Sequence, residues 1–520
     1  MRENPKGAAT TARAVRRFRP TRDHLALAAV YALALAVRLP LRGVAAYFDE
    51  GAFHYFAIHY WHAPANVTNV YGYPADYPNY LWFWERPLFY FLMSPAAHVS
   101  FAAYRLLSIL LAAALPVAAI LVLRAWNVRR PIAWTTGAVI ALSPQFLRWG
   151  VLVYMDPVMT LAVGLGLWSW TRRRTYVALA FLAAAVMIKM TAVLVLVHLF
   201  AWATLDGLRE GRVRVWPLRL PANVVAHALA VPLGLAPYLY VYSFGYGFPG
   251  STAHGNYAPK LVEMLFFSAY VIPILLVGLA WPRTRRWSLL AGLLAGSFLY
   301  IHLVGHRNVE DWYAVLPAYM SLLATALVFD EAANRARPLG KTVWTWTTRA
   351  TPAAFAILAL LLILLPASAA KADWTRPVSH LAEPSLAELF RSERARDQGY
   401  EQGVRALGPG PGRTVFVVDV YFSKVLHPVA TSGGTIRYAG TWPPPRTADL
   451  GAWSSLVEAT ARRTLLEKND HALNLALRDT YGGCTVYDEP AYQVIEGPRC
   501  AGRDAALREN YRERLAQGHE

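Results

Sequence analysis

LALAAVYALALAVRLPL, residues Leu25 to Leu41, is apolar but for Arg38, and a few residues beyond it the chain reads YFDEGAFHYF, Tyr47 to Phe56. A run of that kind is built to enter a hydrocarbon core of roughly 30 Å. The adjacent carboxylates Asp49 and Glu50 therefore stand at or just outside a membrane boundary, where an ionised group is costly to hold. After them Phe53, Phe56, Ala57, Tyr60 and Trp61 recur at helical spacing, which predicts a short helix lying in the interface, aromatic face down. On this pair alone, a solvated acidic turn and a catalytic carboxylate at the water–lipid boundary are equally good readings. The rest of the chain decides between them.

Ten further apolar runs follow the first, in a chain that is 56% hydrophobic and 16% charged, with mean hydropathy +0.28. This composition is that of an integral membrane protein. With so many runs after it, and no small-residue cleavage site at its end, the first is expected to be a span and not a removed signal. The net charge is +18. It lies wholly in residues 1–370, with 32 basic and 14 acidic residues, whereas residues 371–520 hold 19 of each. The excess is concentrated in short segments: the N-terminal arm, Arg124 to Arg130, Arg172 to Arg174, Arg209 to Arg219, Arg283 to Arg286 and Arg335 to Arg349. These alternate with unbiased loops, as cytoplasmic loops do under the positive-inside rule. Charges spread along loop flanks do not make one patch, so nucleic acid is not an expected partner.

The alternation predicts a mainly α, polytopic membrane protein with about eleven transmembrane helices. The spans fall near 24–41, 101–123, 131–147, 157–171, 175–189, 190–205, 222–243, 264–281, 287–304, 312–329 and 350–370. The pair at 175–205 is either two spans or one re-entrant element. The N-terminus (1–23, a basic arm) is then cytoplasmic, 24–370 is the transmembrane domain, and 371–520 lies outside. The outer face also receives the aromatic loop 42–100, expected to carry interfacial helices, and the turn 148–156. Asn66-Val67-Thr68 matches a glycosylation sequon and is read as chance.

After Lys371 charges rise and apolar runs shorten. Residues 380–407 and 453–480 read as helical, Thr414–Tyr421, Thr485–Tyr487 and Tyr492–Ile495 as strands, with a charged helix at the end. Helix alternating with strand predicts a small α/β domain. The two cysteines, Cys484 and Cys500, flank the last strand pair and are expected to form a disulfide if that domain is extracytoplasmic; two free thiols are the alternative.

Polar residues recur at the predicted outer ends of the spans: Asp49-Glu50, Glu85-Arg86-Pro87-Leu88, Ser143-Pro144, Arg148 and Asp156-Pro157, Lys189, and a cluster of His302, His306, Arg307, Glu310, Asp311 and Tyr313. That face has eight basic and eight acidic residues. Balanced charges beside apolar spans suit a polar cavity with cations and a proton acceptor.

Four of these segments resemble those of the GT-C superfamily, the membrane glycosyltransferases that use lipid-linked sugars, and among them protein O-mannosyltransferases and bacterial lipid A aminoarabinose transferases. They are Asp49-Glu50 after the first span; Glu85-Arg86-Pro87-Leu88-Phe89-Tyr90; Tyr104-Arg105-Leu106-Leu107-Ser108 with Ala141-Leu142-Ser143-Pro144, Arg148 and Asp156; and Phe181-Leu182 through Ile188-Lys189. The match covers roughly residues 25–200, in the family's order. Arg86 stands where relatives often have Lys, and Leu88 where they often have a second Pro.

The resemblance implies a glycosyltransferase on the outer side of a prokaryotic plasma membrane. A polyprenyl-phosphate sugar is the donor, and a hydroxyl on a glycan, lipid or protein is the acceptor. Asp49 is the expected base, with Glu50 and Asp156 the other catalytic candidates. Arg86, Lys189, Arg148 and Arg307 are candidates for the lipid phosphate. No cofactor is required; a divalent metal at Glu85, His302 and His306 is the weaker reading beside satisfied interfacial histidines. Two rivals remain in view. A transporter or flippase predicts internal repeats and midplane charges, and a membrane anchor with a C-terminal binding module leaves the outer-face charges without a task.

Overall fold

The computed structural model describes residues 22–43, 50–58, 60, 86–210, 221–242, 272–303, 315–336, 341–364, 414–418, 435–438, 463–467, 484–488, 492–496 and 513. Its helices run from residue 22 to 364. They are α1 (Arg22–Arg38), α2 (Glu50–Ile58), α3 (Pro87–Val99), α4 (Phe101–Ala113), α5 (Leu115–Ala125), α6 (Arg130–Leu142), α7 (Pro144–Val151) and α8 (Met155–Thr171). Then come α9 (Thr175–Ile188), α10 (Val193–Arg209), α11 (Ala222–Tyr242), α12 (Ile272–Ala280), α13 (Arg285–Leu303), α14 (Val315–Arg335) and α15 (Lys341–Leu364). Among the described residues, four stretches are long and apolar enough to cross a membrane: Arg22–Arg42, Phe101–Ala125, Met190–Arg209 and Val315–Arg335. Helices dominate because in lipid every backbone N–H and C=O has to be bonded within the segment.

Burial separates the hub from the rim. The apolar window of α14 is 83% buried, that of α4–α5 61%, and that of α1 11%. Helix α14 packs against α6, α8, α12, α13 and α15 and forms the axis of the bundle, while α1 shows most of its surface to lipid. Close approach along α8 depends on two glycines. A Cβ on Gly164 would stand 2.6 Å from the Tyr319 hydroxyl of α14, and one on Gly166 2.8 Å from Leu182 of α9. Small residues at such crossings let helices touch where no hydrophobic effect drives them together.

One end of the bundle gathers the arginine-rich loops. Asp330, 1% exposed, accepts from Arg283 at 2.9 Å and from the Arg129 backbone N–H at 3.0 Å. Arg283 also donates to Glu331 and to the carbonyls of Trp126 and Asn127. Trp126 stacks on Trp287 at 4.3 Å, with Arg286 over Trp287 and Trp170. Arg124 and Arg130 reach Asp23 at the start of α1. Both α5 and α8 stop here in a left-handed residue, Asn127 and Arg173, each with φ 59°. The following N–H groups, of Val128 and Arg174, return to the carbonyls of Leu123 and Ser169, a Schellman closure made without glycine. Loops assigned to one side by charge alternation alone are thus held together by direct bonds.

Helices α9 and α10 run in opposite directions. Helix α9 leaves the arginine end at Thr175 and stops at Lys189; α10, after a 3-10 turn at Met190–Ala192, brings Asp206 back within electrostatic reach of Arg286. Residues 175–205 are therefore two separate helices joined at the far end.

Three expectations are corrected. The aromatic face of α2 does not lie on lipid: Phe53, Phe56 and Ala57 are buried in protein, Phe53 against Phe89 and Tyr154. Helix α3 supplies the apolar surface that the bilayer was expected to offer. Residues 131–147 are not one helix. Ser143 is extended, Pro144 starts α7, and the expected turn at 148–156 narrows to Leu152–Tyr154. Proline disfavours the α conformation in the residue before it and ends the helix there. Residues 463–467, inside the expected helix 453–480, form a strand. That strand is fixed by distant partners, which local periodicity does not report.

It belongs to a five-stranded sheet of order β2-β1-β3-β5-β4, with β1 Thr414–Val418, β2 Thr435–Tyr438, β3 Arg463–Glu467, β4 Cys484–Asp488 and β5 Tyr492–Glu496. Strand β1 pairs parallel with β2 and β3; β5 pairs antiparallel with β3 and β4. The expected helix 380–407, Cys500 and the side chain of Cys484 lie outside the described residues, and with them the disulfide.

The two ends of the bundle should face opposite sides of the membrane. With both native cysteines replaced, Arg173→Cys and Ser100→Cys should react with an impermeant maleimide from opposite sides. Labelling of both in intact cells would overturn the arrangement.

Candidate active site

At the end away from the arginine loops, Glu50 opens α2 and is fully buried. Its carboxylate accepts from Arg105 Nη2 at 2.6 Å, from Arg105 Nε at 3.3 Å and from the Val153 backbone N–H at 2.7 Å. Arg105, one turn into α4 and 1% exposed, also donates to the Arg42 carbonyl and lies 4.9 Å over the Phe101 ring. Four pieces of chain meet here: the 3-10 turn after α1 (Leu39–Gly43), α2, α4 and the turn before α8. A buried ion pair is tolerable only when its remaining lone pairs and protons are bonded in this way.

Three residues after Val153 comes Asp156, in the first turn of α8 and 1% exposed. Both of its oxygens are 2.7 Å from Lys189 Nζ. Lys189 is extended, φ −156° and ψ 126°, at the C-cap of α9, and keeps 8% exposure. Arg86 also acts electrostatically on Asp156, and its guanidinium lies 6.0 Å from the Phe53 ring centroid. Pro87 at the first position of α3 has no N–H to be capped.

The structure thus brings together Glu50, Arg86, Asp156 and Lys189 of the expected site. Asp49, Glu85, His306 and Arg307 lie outside the described residues; His302 closes α13 and Arg148 lies in α7, without described side chains. Among the described residues no group of three or more His, Cys, Asp or Glu could hold a metal.

Three neighbours were not given tasks by the sequence. Arg105 stood in one of the segments that carry the resemblance, without a role of its own; an arginine inside an apolar helix is the usual sign of an interior partner in a membrane. The second is Arg38, fully buried, which donates to the carbonyls of Ala34, Ile140, Ala141 and Phe146 and so closes the α6–α7 break. The third is Tyr104, whose buried hydroxyl has no hydrogen-bond partner among the described residues and whose ring is 5.0 Å from that of His54. The sequence marked it only as part of the segment Tyr104 to Ser108, with no role assigned.

No protein-family model matches the chain, and no curated protein sequence does. Solved structures do match, and what they share with this chain is the fold. ArnT from Cupriavidus metallidurans in the apo state aligns with TM-score 0.56 at 13% identity, over 92% of this chain and 100% of that one. The same protein bound to undecaprenyl phosphate aligns with TM-score 0.52 at 16% identity, over 91% and 99%. Similarity at this level of identity speaks for the fold alone; this chain's own four long apolar helices among the described residues suit a membrane.

Removing one partner of the Glu50–Arg105 pair leaves a buried charge behind. Glu50→Gln should cost about 3–5 kcal/mol, seen as a lowered thermal unfolding midpoint in detergent. The double change Glu50→Gln with Arg105→Met should recover part of that loss. An unchanged midpoint in Glu50→Gln would show that the pair does not hold the four segments.

Proposed function

We propose that this protein is a glycosyltransferase moving a sugar from a polyprenyl-phosphate-linked donor to an acceptor hydroxyl at the outer face of the plasma membrane. The carrying observation is the placement of two buried ion pairs, Glu50–Arg105 and Asp156–Lys189, at one end of the bundle; in sequence, Asp49 directly precedes Glu50. The ArnT fold, one structure of which holds undecaprenyl phosphate, supports the donor class. About eleven spans, a cytoplasmic basic arm at 1–23, a transmembrane catalytic domain at 24–370 and an extracytoplasmic α/β domain at 371–520 complete this reading. The acceptor is a glycan, a lipid or a protein.

In this reading Asp49 takes the acceptor proton as the hydroxyl oxygen attacks the anomeric carbon. The transition state gains oxocarbenium character, by analogy with glycoside hydrolysis, and the carboxylate faces that positive charge. The phosphate leaves as an anion and needs cations more than an acid. Arg86 binds the donor phosphate, with Arg148 and Arg307 as further candidates. Glu50 is a structural brace, tying α2 to Arg105 and Val153. The chain's own carboxylate and cations supply every step written here; Glu85, His302 and His306 remain the residues at which a divalent metal would be sought. A transporter would hold its charges at the bilayer midplane, whereas Glu50, Arg105, Asp156 and Lys189 all sit at helix ends or within a turn of them.

Asp49→Asn keeps shape and hydrogen-bonding capacity but takes no proton at neutral pH. Transfer should fall by about 10²–10⁴-fold in membranes supplied with a labelled polyprenyl-phosphate sugar. Near-normal turnover would remove Asp49 from the mechanism. Arg86→Met should raise the donor KM at least tenfold, the scale of a lost charge-assisted bond; a KM left at the wild-type value would move the phosphate site elsewhere. A deletion strain should accumulate the polyprenyl-phosphate sugar.

A further inference from the structure

Asp156 and Lys189 form a symmetric chelate, one ammonium between two oxygens at 2.7 Å each. The two partners are not equally mobile or equally hidden. Asp156 is anchored in the first turn of α8 at 1% exposure, on a short side chain. Lys189 sits on extended backbone between α9 and the 3-10 turn, on a long flexible stem, at 8% exposure. Of the two, the cation keeps the larger exposure and, on the longer stem, is the member able to move.

The charge on the leaving phosphate changes during the reaction proposed above, on which this inference rests. The bond between the anomeric carbon and the bridging phosphate oxygen breaks, and its electron pair stays with that oxygen. The acceptor oxygen bonds the anomeric carbon, and the acceptor proton passes to the base. The donor phosphodiester carries one negative charge, whereas the released phosphomonoester carries about 1.5–2 at neutral pH, its second pKa being near 6. The additional charge exists only from the transition state onward. A cation that meets it then, and not before, raises the rate without tightening donor binding.

We propose that Lys189 is this leaving-group cation and that Asp156 is a positioning residue that holds it in reserve. Lys189 stays chelated by Asp156 while the donor phosphodiester is bound, and passes hydrogen bonds to the phosphate as the sugar departs. Asp156 then has two opposed effects: it keeps a buried ammonium neutralised between turnovers, and it competes with the product for that ammonium, which favours release. The Arg86 and Lys189 contributions separate accordingly, Arg86 into KM and Lys189 into kcat.

The test is equilibrium binding of undecaprenyl phosphate, as the product probe, to the full-length protein in nanodiscs. Asp156→Asn should bind it about tenfold tighter and Lys189→Met about tenfold weaker, the scale of one charged hydrogen bond. In the neutral double variant, where neither charge is left buried alone, Asp156→Asn should bring no tightening. Tightening that persists without Lys189, or none with it, overturns the proposal. Turnover gives the second measurement: Lys189→Met should lower kcat at least tenfold with donor KM within about threefold of wild type, the pattern of an interaction made only in the transition state. A raised KM with unchanged kcat overturns it as well. If the wild type shows no saturable binding of undecaprenyl phosphate and no transfer, the transferase reading itself fails. If it binds and transfers while Asp156→Asn changes nothing, only the reserve role of Asp156 fails.

Discussion

A carboxylate inside an apolar bundle must be met by a cation and by enough donors to replace its lost water. Glu50 meets that condition with Arg105 and the Val153 N–H, and the geometry needed to do so dictates much else. Helix α2 has to turn back against α4, so its aromatic residues find protein and not lipid. The turn before α8 has to present a backbone N–H, which fixes where Asp156 emerges three residues later. The end of α1 has to bring the Arg42 carbonyl to Arg105. One interaction thus sets the relative positions of segments far apart in sequence, and the second pair, Asp156–Lys189, extends the same framework to α9.

The far end solves the same problem with different materials. Asp330 is as buried as Asp156, but its partners are half-exposed arginines of connecting loops, and stacked indoles cover the network from the side. Guanidinium groups suit this end because they bridge several carbonyls and carboxylates at once and lie flat on tryptophan. At the opposite end Arg105 does the same for Glu50, bridging its carboxylate to the Arg42 carbonyl, while the compact ammonium of Lys189 meets Asp156. The contrast between the two pairs there is one between a guanidinium fork and a single point charge on a flexible stem.

Much of this was legible in the sequence. Apolar runs and arginine-rich loops located α1, α4–α5, α8, α9, α10 and α11 to within a few residues, because hydropathy and charge placement are the signals that the bilayer itself reads. The acidic pair, Arg86, Asp156 and Lys189 were all marked by polar residues at span ends. What stayed hidden were pairings. That Glu50 takes Arg105, or that Arg38 closes the break at Ser143 across 100 residues of chain, is a property of three-dimensional packing with no local trace. Strand β3 was hidden for the same reason: its ladder is supplied by β1 and β5 and not by its own periodicity. The break at Pro144 could have been read from the proline, had its effect on Ser143 been weighed against the apolar run around it.

Helices α8 and α9, of 17 and 14 residues, have a further consequence. At 1.5 Å per residue they are about 25 and 21 Å long, against a hydrocarbon thickness of roughly 30 Å. With their arginine-rich ends at one surface, the other ends stop short of the opposite one. Helices of this length place Asp156 and Lys189 several ångströms short of the plane in which ordinary headgroups float. A phosphate reaching that depth has to be drawn down along the protein wall while its prenyl tail remains in the oil. Local thinning of the bilayer around α8 and α9 is the membrane's share of that geometry.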